Sequence, residues 1–221
     1  MGGMDPKRIL YEDEHLLIVQ KLAGELVVAA DRPKPGERRA LPLYDFLHKT
    51  HPGLRVLHRL DYGTSGVLAF AKSAEVVRRV REGKFAGWIK RYRALVAGPI
   101  QAKVLTIKKP LPARTHVGLV EAVTHVRVLQ NFTHASLVET QIETGRKHQI
   151  RQHMASIKHP LLLDPIYGDP RLDRSFKRHF KYRRFFLHAF ALTLPHPITG
   201  NIIHVEAPLP KAFEEVLREM E

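Results

Sequence analysis

A chain of 221 residues with 44% hydrophobic and 26% charged residues is long enough to bury a core without staples, and disorder is not its default. Its 36 Lys and Arg against 22 Asp and Glu leave a net charge of +14, which predicts a polyanionic partner, either nucleic acid or an anionic membrane. The absence of cysteine excludes disulfides, thiolate nucleophiles and Cys-ligated zinc. No apolar run reaches the roughly 18 residues of a membrane span, and the N-terminus lacks the apolar core of a signal peptide, so a cytoplasmic protein bound to nucleic acid is expected. The 14 histidines show no metal-ligand spacing and read as scattered surface or RNA-facing residues, so no metal is expected.

Residues 1–8 read as a tail without pattern. Residues 9–28 predict strand, turn, strand: His15-Leu16-Leu17-Ile18-Val19 is an apolar run, and Ala23-Gly24 precedes Leu26-Val27-Val28. Residues 31–39 hold two prolines, one glycine and four basic residues, a polar loop by composition. Pro42 at a first helical position, with Leu43, Phe46 and Leu47 at helical spacing, predicts a short helix ended by His51-Pro52-Gly53. Then comes His58-Arg59-Leu60-Asp61-Tyr62-Gly63-Thr64-Ser65-Gly66, one acidic side chain between a basic pair and a Gly/Thr/Ser turn. On local chemistry Asp61 reads as a turn-former. Residues 67–71 predict a buried strand, and Ser73 caps a basic helix through Arg81. In that helix Val76, Val77 and Val80 face inward, while Arg78, Arg79, Arg81 and Lys84 face solvent or RNA.

Alternation in Arg91-Tyr92-Arg93-Ala94-Leu95-Val96-Ala97-Gly98 suits a strand, and further strands are expected at 125–129 and 135–142. A second concentrated stretch, Glu143-Thr144-Gly145-Arg146-Lys147-His148-Gln149-Ile150-Arg151-Gln152-His153-Met154, predicts a helix from Thr144 or Gly145 with Ile150, Met154 and Ile157 on its core face. Arg151 lies at the rim of that face, where its planar fork can reach a partner carboxylate; a basic helix in solvent needs no such partner. Residues 159–170 read as a loop. Residues 171–184 carry seven Lys or Arg interleaved with Phe176, Phe180 and Tyr182, which suits nucleic acid, with the rings on bases or in the core, or a basic amphipathic surface. Phe186, His188, Phe190, Leu192 and Leu194 alternate on one strand face, residues 202–205 form another strand, and Phe213, Val216, Leu217 and Met220 mark a closing helix. Neither a repeat nor a linker is evident, so one domain over 9–221 is expected.

No second acidic motif supports glycosidase chemistry. His-Arg-Leu-Asp differs by one residue from the kinase catalytic loop, and neither a glycine-rich loop nor a P-loop is present. A lone aspartate acting on RNA remains. At that point the motifs become informative: residues 58–66 resemble the HRLDxxTSG motif of the RluA family of pseudouridine synthases, and residues 145–154 resemble its GRxHQIRxHM motif. The segment around Tyr92 matches the family's K-Y-x-A-L-V-x-G element, and residues 9–19 and 187–210 match its opening and ending.

The resemblance implies an α+β pseudouridine synthase fold: a mixed, mostly antiparallel sheet flanked by helices, with a central catalytic cleft. It implies isomerisation of uridine to pseudouridine in ribosomal or transfer RNA by a monomer without cofactor or metal. Asp61 is implied as the catalytic carboxylate, adding to the uracil ring or acting on the ribose. Arg151 is its implied salt-bridge partner, favouring the charged form. Tyr92 stacks on the target base, Leu187 packs against it from the other side, and Arg59 fills the stack that the flipped uridine vacates. His58, Thr64, Arg146, His148 and Gln149 are implied substrate contacts. Arg78, Arg79, Lys84, Arg174, Lys177, Arg178 and Lys181 are expected on the RNA backbone. Two departures stand out: Leu22 replaces a usual Pro, and Leu163-Asp164 stands where Gly-Asp is usual, which bears on loop shape and substrate choice. The residues before the motif match the catalytic domain's own opening and leave no room for an N-terminal S4 domain, so recognition is expected from the catalytic domain. The competing readings are a non-catalytic RNA-binding protein of the same fold and, more remotely, a membrane-surface protein.

Overall fold

Runs of β-branched and aromatic residues bounded by turn signals become strands here, and helices start where a cap or a proline frees their first N–H groups. The computed structural model describes residues 4–29, 41–113, 117–180, 182 and 184–221; the polar stretch 31–39 and Lys181 lie outside the described residues. After a 3-10 turn, Pro6–Arg8, strands β1 (Ile9–Glu12) and β2 (Leu16–Lys21) pair antiparallel. Between them the Asp13 Oδ1 accepts the N–H groups of His15 and Leu16, at 2.7 Å each. The expected strand at 26–28 is instead irregular, because its carbonyls are used elsewhere. Those of Leu26 and Val27 accept the N–H groups of Leu43 and Tyr44, orphan donors at the start of helix α1 (Leu43–His48). Pro42 is the N-cap of that helix rather than its first residue.

Strands β3 (Arg55–Val56) and β4 (Ser65–Ala71) follow, then helix α2 (Ala74–Glu82), whose Ser73 Oγ accepts the Val76 N–H as expected. Next come β5 (Ile89–Ala97), β6 (Val104–Lys108), β7 (Leu111–Pro112), β8 (Leu119–Val120), β9 (Val123–Asn131) and β10 (Ala135–Ile142). The chain closes with α3 (Gln149–Ser156), α4 (Pro170–Phe180), β11 (Leu187–Pro195), β12 (Ile202–Glu206) and α5 (Lys211–Met220). Residues 171–180 of the basic segment thus lie in a helix. Strand β11 is not one-sided as the alternation suggests: Leu187, His188, Ala189, Ala191, Leu192 and Leu194 are all buried.

These elements divide into two interleaved compact units, one built from Met1–Trp88 and Ala191–Ala207, the other from Ile89–Phe190 and Pro208–Glu221. In the first, β1, β2 and β4 run side by side, β3 also pairs β4, and β12 pairs the second half of β11, all antiparallel. All of β4 is buried because both its faces are covered. Val67, Ala69 and Ala71 join Val76 and Val80 of α2, while Leu68 and Phe70 join Leu43 and Leu47 of α1. Each fully buried Leu or Phe contributes about 2 kcal/mol.

The second unit is an antiparallel array in the order β5-β10-β9-β6, with the short ribbon β7–β8. Its core gathers Leu95, Leu137, Leu162, Leu163, Phe186, Phe213 and Val216, with Phe176, Phe180 and Tyr182 packed against it. The aromatic residues of the basic segment therefore serve the core. The α+β class with a mostly antiparallel sheet is the one the motifs predict.

Candidate active site

In the first unit, Asp61 stands half-buried on a turn whose geometry is carried by the backbone. Its carbonyl accepts the Thr64 N–H at 3.0 Å, with Tyr62 and Gly63 at the corner. The turn is bolted to the end of β2 by Lys21, a lysine with no exposed surface. The Lys21 Nζ donates to the carbonyls of Leu22 (3.0 Å), Tyr62 (3.2 Å) and Thr64 (2.6 Å), matching the three donors of an ammonium group. The Gly24 N–H adds a bond of 2.7 Å to the Tyr62 carbonyl. Sequence reasoning passed over Lys21, since a lysine closing an apolar strand looks like a solvated end.

The neighbours of Asp61 divide by exposure. Arg59 is exposed, whereas Thr64 is buried and its hydroxyl has no hydrogen-bond partner among the described residues. The His58 Nε2 accepts the Ala69 N–H at 3.1 Å, and its ring stands edge-on to Trp88, so this histidine straps the motif to β4.

In the second unit, Tyr92 lies in the middle of β5, 7% exposed and opposite Thr140 of β10. Lys90, two residues earlier on the same strand face, has its ammonium pKa pushed down by burial. Leu187 opens β11 and is buried. The second motif folds differently from its periodicity. Helix α3 starts at Gln149, not at Thr144 or Gly145, and Ile157 lies past its end as the C-cap. His148 takes a left-handed conformation (φ 53°), and the Gln149 Oε1 accepts from the Thr144 hydroxyl (2.7 Å) and the Arg146 N–H (3.1 Å), holding 144–148 as a turn.

Gln149 and His153 fasten α3 to β9. The Gln149 Nε2 donates to the Val123 carbonyl at 2.9 Å; the His153 Nε2 meets the Lys109 carbonyl at 2.9 Å and its Nδ1 the Thr124 hydroxyl at 2.8 Å. Burial lowers the His153 pKa, against the upward pull of the Lys109 carbonyl. The Arg146 Nε reaches the Glu121 carbonyl at 3.2 Å, and the His148 Nδ1 meets the Tyr167 hydroxyl at 3.2 Å.

Arg151 is not at a rim; it is 3% exposed. Its Nε and Nη2 donate to the two oxygens of Asp164 at 2.6 and 2.7 Å, a bidentate pair. Its guanidinium carbon lies 4.6 Å from the centre of the Phe185 ring and 5.3 Å from that of Tyr167. Burial works to raise the Asp164 pKa, but Arg151 and the N–H groups of Ile166 and Tyr167 outweigh it, and the net shift is downward.

Asp164 sits in what the sequence reads as plain loop, yet that loop is closely wired. The Asp173 Oδ1 accepts the Leu163 N–H at 2.7 Å, and a Cβ on Gly168 would collide with the Asp164 carbonyl oxygen. Leu163 adopts φ 64°, which glycine takes freely. The leucine's left-handed backbone costs about 1 kcal/mol, but its buried side chain contributes about 2 kcal/mol. The departure from Gly therefore keeps a left-handed loop and adds core.

The expected backbone contacts separate into two kinds. On α2, Arg78 pairs with Glu82 at 3.2 Å and Arg79 with Glu75 at 2.9 Å, so both cations already have carboxylates. On α4, Arg174, Lys177 and Arg178 are exposed and form no salt bridge among the described residues. Lys84 is exposed beyond α2. Among the described residues no helix is long and apolar enough to cross a membrane, and no group of three or more His, Asp or Glu is placed to hold a metal ion.

The profile of the RNA pseudouridylate synthase family matches residues 15–156, which include the Asp61 turn, Tyr92 and Arg151. The chain belongs to this family. Among curated proteins it is 36% identical to the ribosomal large subunit pseudouridine synthase D of Nitrosomonas europaea, covering 96% of this chain and 65% of that one. It is 34% identical to the ribosomal large subunit pseudouridine synthase C of Escherichia coli, covering 96% and 69%. The chain thus spans about two thirds of the length of these relatives. Among solved structures, human RNA pseudouridylate synthase domain containing 4 superposes with a TM-score of 0.75 at 24% identity, covering 96% of this chain and 92% of that one, which supports the fold. As a pseudouridine synthase of the RluA type, the chain has the reaction class its motifs predict, conversion of uridine to pseudouridine in RNA.

Proposed function

We propose that this pseudouridine synthase acts in the cytoplasm on ribosomal RNA of the large subunit, the substrate class in its relatives' names, with Asp61 as the catalytic carboxylate. The reaction breaks the N1–C1′ bond, joins C1′ to C5 and releases the C5 proton, with the N1 position reprotonated. Atoms and electrons balance without an external oxidant, reductant or group donor, which is consistent with catalysis by side chains alone. Asp61 adds to the uracil ring or acts on the ribose, Arg151 is its charge partner, Tyr92 stacks on the base and Arg59 fills the vacated stack. The observation that carries this reading is the Asp61 turn, a rigid platform for a half-buried carboxylate inside the family motif. Flipping the uridine costs a few kcal/mol, roughly repaid by stacking at about 1–3 kcal/mol per base.

The test is tritium release from cellular RNA labelled at uridine C5. Wild-type protein is expected to release tritium, and Asp61→Ala to release none while retaining RNA affinity. No release by wild type from any RNA class would refute the assignment.

A further inference from the structure

Arg151 is held on several sides by groups that carry no role in the reaction as drawn so far. Its Nε–Nη2 edge is occupied by Asp164, and the rings of Phe185 and Tyr167 lie against it. Asp164 is itself immobilised: besides Arg151, its Oδ1 accepts the N–H groups of Ile166 at 3.0 Å and Tyr167 at 3.2 Å, and its carbonyl accepts the Gly168 N–H at 2.9 Å. Tyr167 is tied in turn to His148, at the start of the helix that carries Arg151. The loop 163–173 is thus wrapped around one carboxylate, and that carboxylate grips one edge of one guanidinium.

We propose that Asp164 and Tyr167 are positioning residues for pseudouridine formation, locking Arg151 in one orientation so that the Nη1 corner, outside the Asp164 pair, is what it presents to the reaction. This rests on the reading of Arg151 as the partner of Asp61. An arginine side chain carries about 2 kcal/mol of rotamer entropy, and the bidentate pair with the flanking rings removes that freedom before substrate arrives. In addition, a cation buried this deeply needs a counter-charge, and Asp164 supplies one at 2.6 Å. With its charge already matched, Arg151 acts as an aimed hydrogen-bond donor more than as surplus positive charge, and an aimed donor depends on its supports.

Asp164→Asn is the discriminating variant, since its remaining oxygen can keep the Ile166 and Tyr167 N–H bonds while the Nε–Nη2 fork loses its carboxylate. Tyr167→Leu is the second, should the first fold poorly. Both are compared with wild type for kcat, KM, RNA affinity, melting temperature and the Arg151 Nε–H resonance by NMR. Asp164→Asn is expected to lower kcat about 100-fold, the scale of a misplacement of about 1 Å, with RNA affinity unchanged and the downfield Nε–H resonance lost. Tyr167→Leu is expected to lower kcat about tenfold, and both variants are assayed below their melting temperatures. A folded Asp164→Asn protein with wild-type kcat would overturn the positioning role, as would parallel losses of affinity and rate. An inactive wild type would instead overturn the activity reading, and this proposal with it.

Discussion

In the first unit the residue at the centre of the motif is a carboxylate on a turn fixed through its backbone, with the Lys21 ammonium gripping the carbonyls around it. In the second unit the motif arginine is held through its side chain, by a buried carboxylate and two rings. The difference is the one the proposed roles call for. A carboxylate that attacks substrate needs its oxygens accessible, so rigidity comes from the chain beneath it. A supporting arginine can be buried to its tip, provided a counter-ion is buried with it.

Removing the support under the turn is expected to have the largest effect. Lys21→Met keeps the length of the side chain and leaves the carbonyls of Leu22, Tyr62 and Thr64 without its three donors. The Tyr62 and Leu22 carbonyls keep the N–H groups of Gly24 and Glu25, so the cost falls mainly on Thr64, about 1–3 kcal/mol for an unsatisfied buried acceptor. We expect a net loss of about 2 kcal/mol, or about 4–8 °C in melting temperature for a chain of this size, and a fall in kcat even well below that temperature. A variant with wild-type activity would show that Asp61 does not depend on the rigidity of its turn.

What the sequence revealed and what it hid follow the same division between local and distant interactions. The cap at Ser73, the buried run of β4 and the bounds of β10 were legible because capping, apolar continuity and turn signals act within a few residues. Asp61 was legible only through its motif, since local chemistry presented it as a turn-former. Asp164 was hidden: an aspartate before a proline in a loop looks the same whether it faces water or an arginine 13 residues earlier. Lys21 was hidden for the same reason, with two of its acceptors more than 40 residues away. The helical pattern through 144–148 misled because Gln149, by bonding Thr144 and Arg146, offers that stretch a turn that competes with helix. The two units exchange chain segments, so no composition boundary could mark them.

In the second unit a smaller change in stability is expected from pH. His153 is buried and its pKa is lowered from 6.5, so the native state resists a proton that the unfolded chain accepts. The sign follows: above about pH 6.5 neither state is protonated and the group is neutral to stability, and below it the unfolded state gains the proton first. Stability of wild type should therefore fall as the pH drops from 7.5 to 5.5, read as the urea midpoint. His153→Gln should start lower, because the bonds to Lys109 and Thr124 are remade imperfectly, but should lose less over that interval. Asp164 does not enter this window, because its pKa is lowered from 3.8 and its contribution is lost only in stronger acid.

The two basic helices, one in each unit, differ in how their cations are paired. On α2 the arginines lie in i,i+4 ion pairs with glutamates, whereas Arg174 and Arg178 of α4 form no such pairs among the described residues and Lys177 feels only the electrostatic pull of the buried Asp173. An arginine already matched by a carboxylate releases few counterions on meeting a phosphate, and an unmatched one releases nearly a full equivalent. Changing Arg174, Lys177 and Arg178 together to Gln should therefore reduce the slope of log affinity against log salt by about 2–3. Changing Arg78 and Arg79 should move it by less than about 1. Neither set is buried, so melting temperature should stay nearly constant in both. Equal slopes for the two variants would mean that the carboxylates of α2 swing away from their arginines when RNA binds, and that both helices meet the backbone alike.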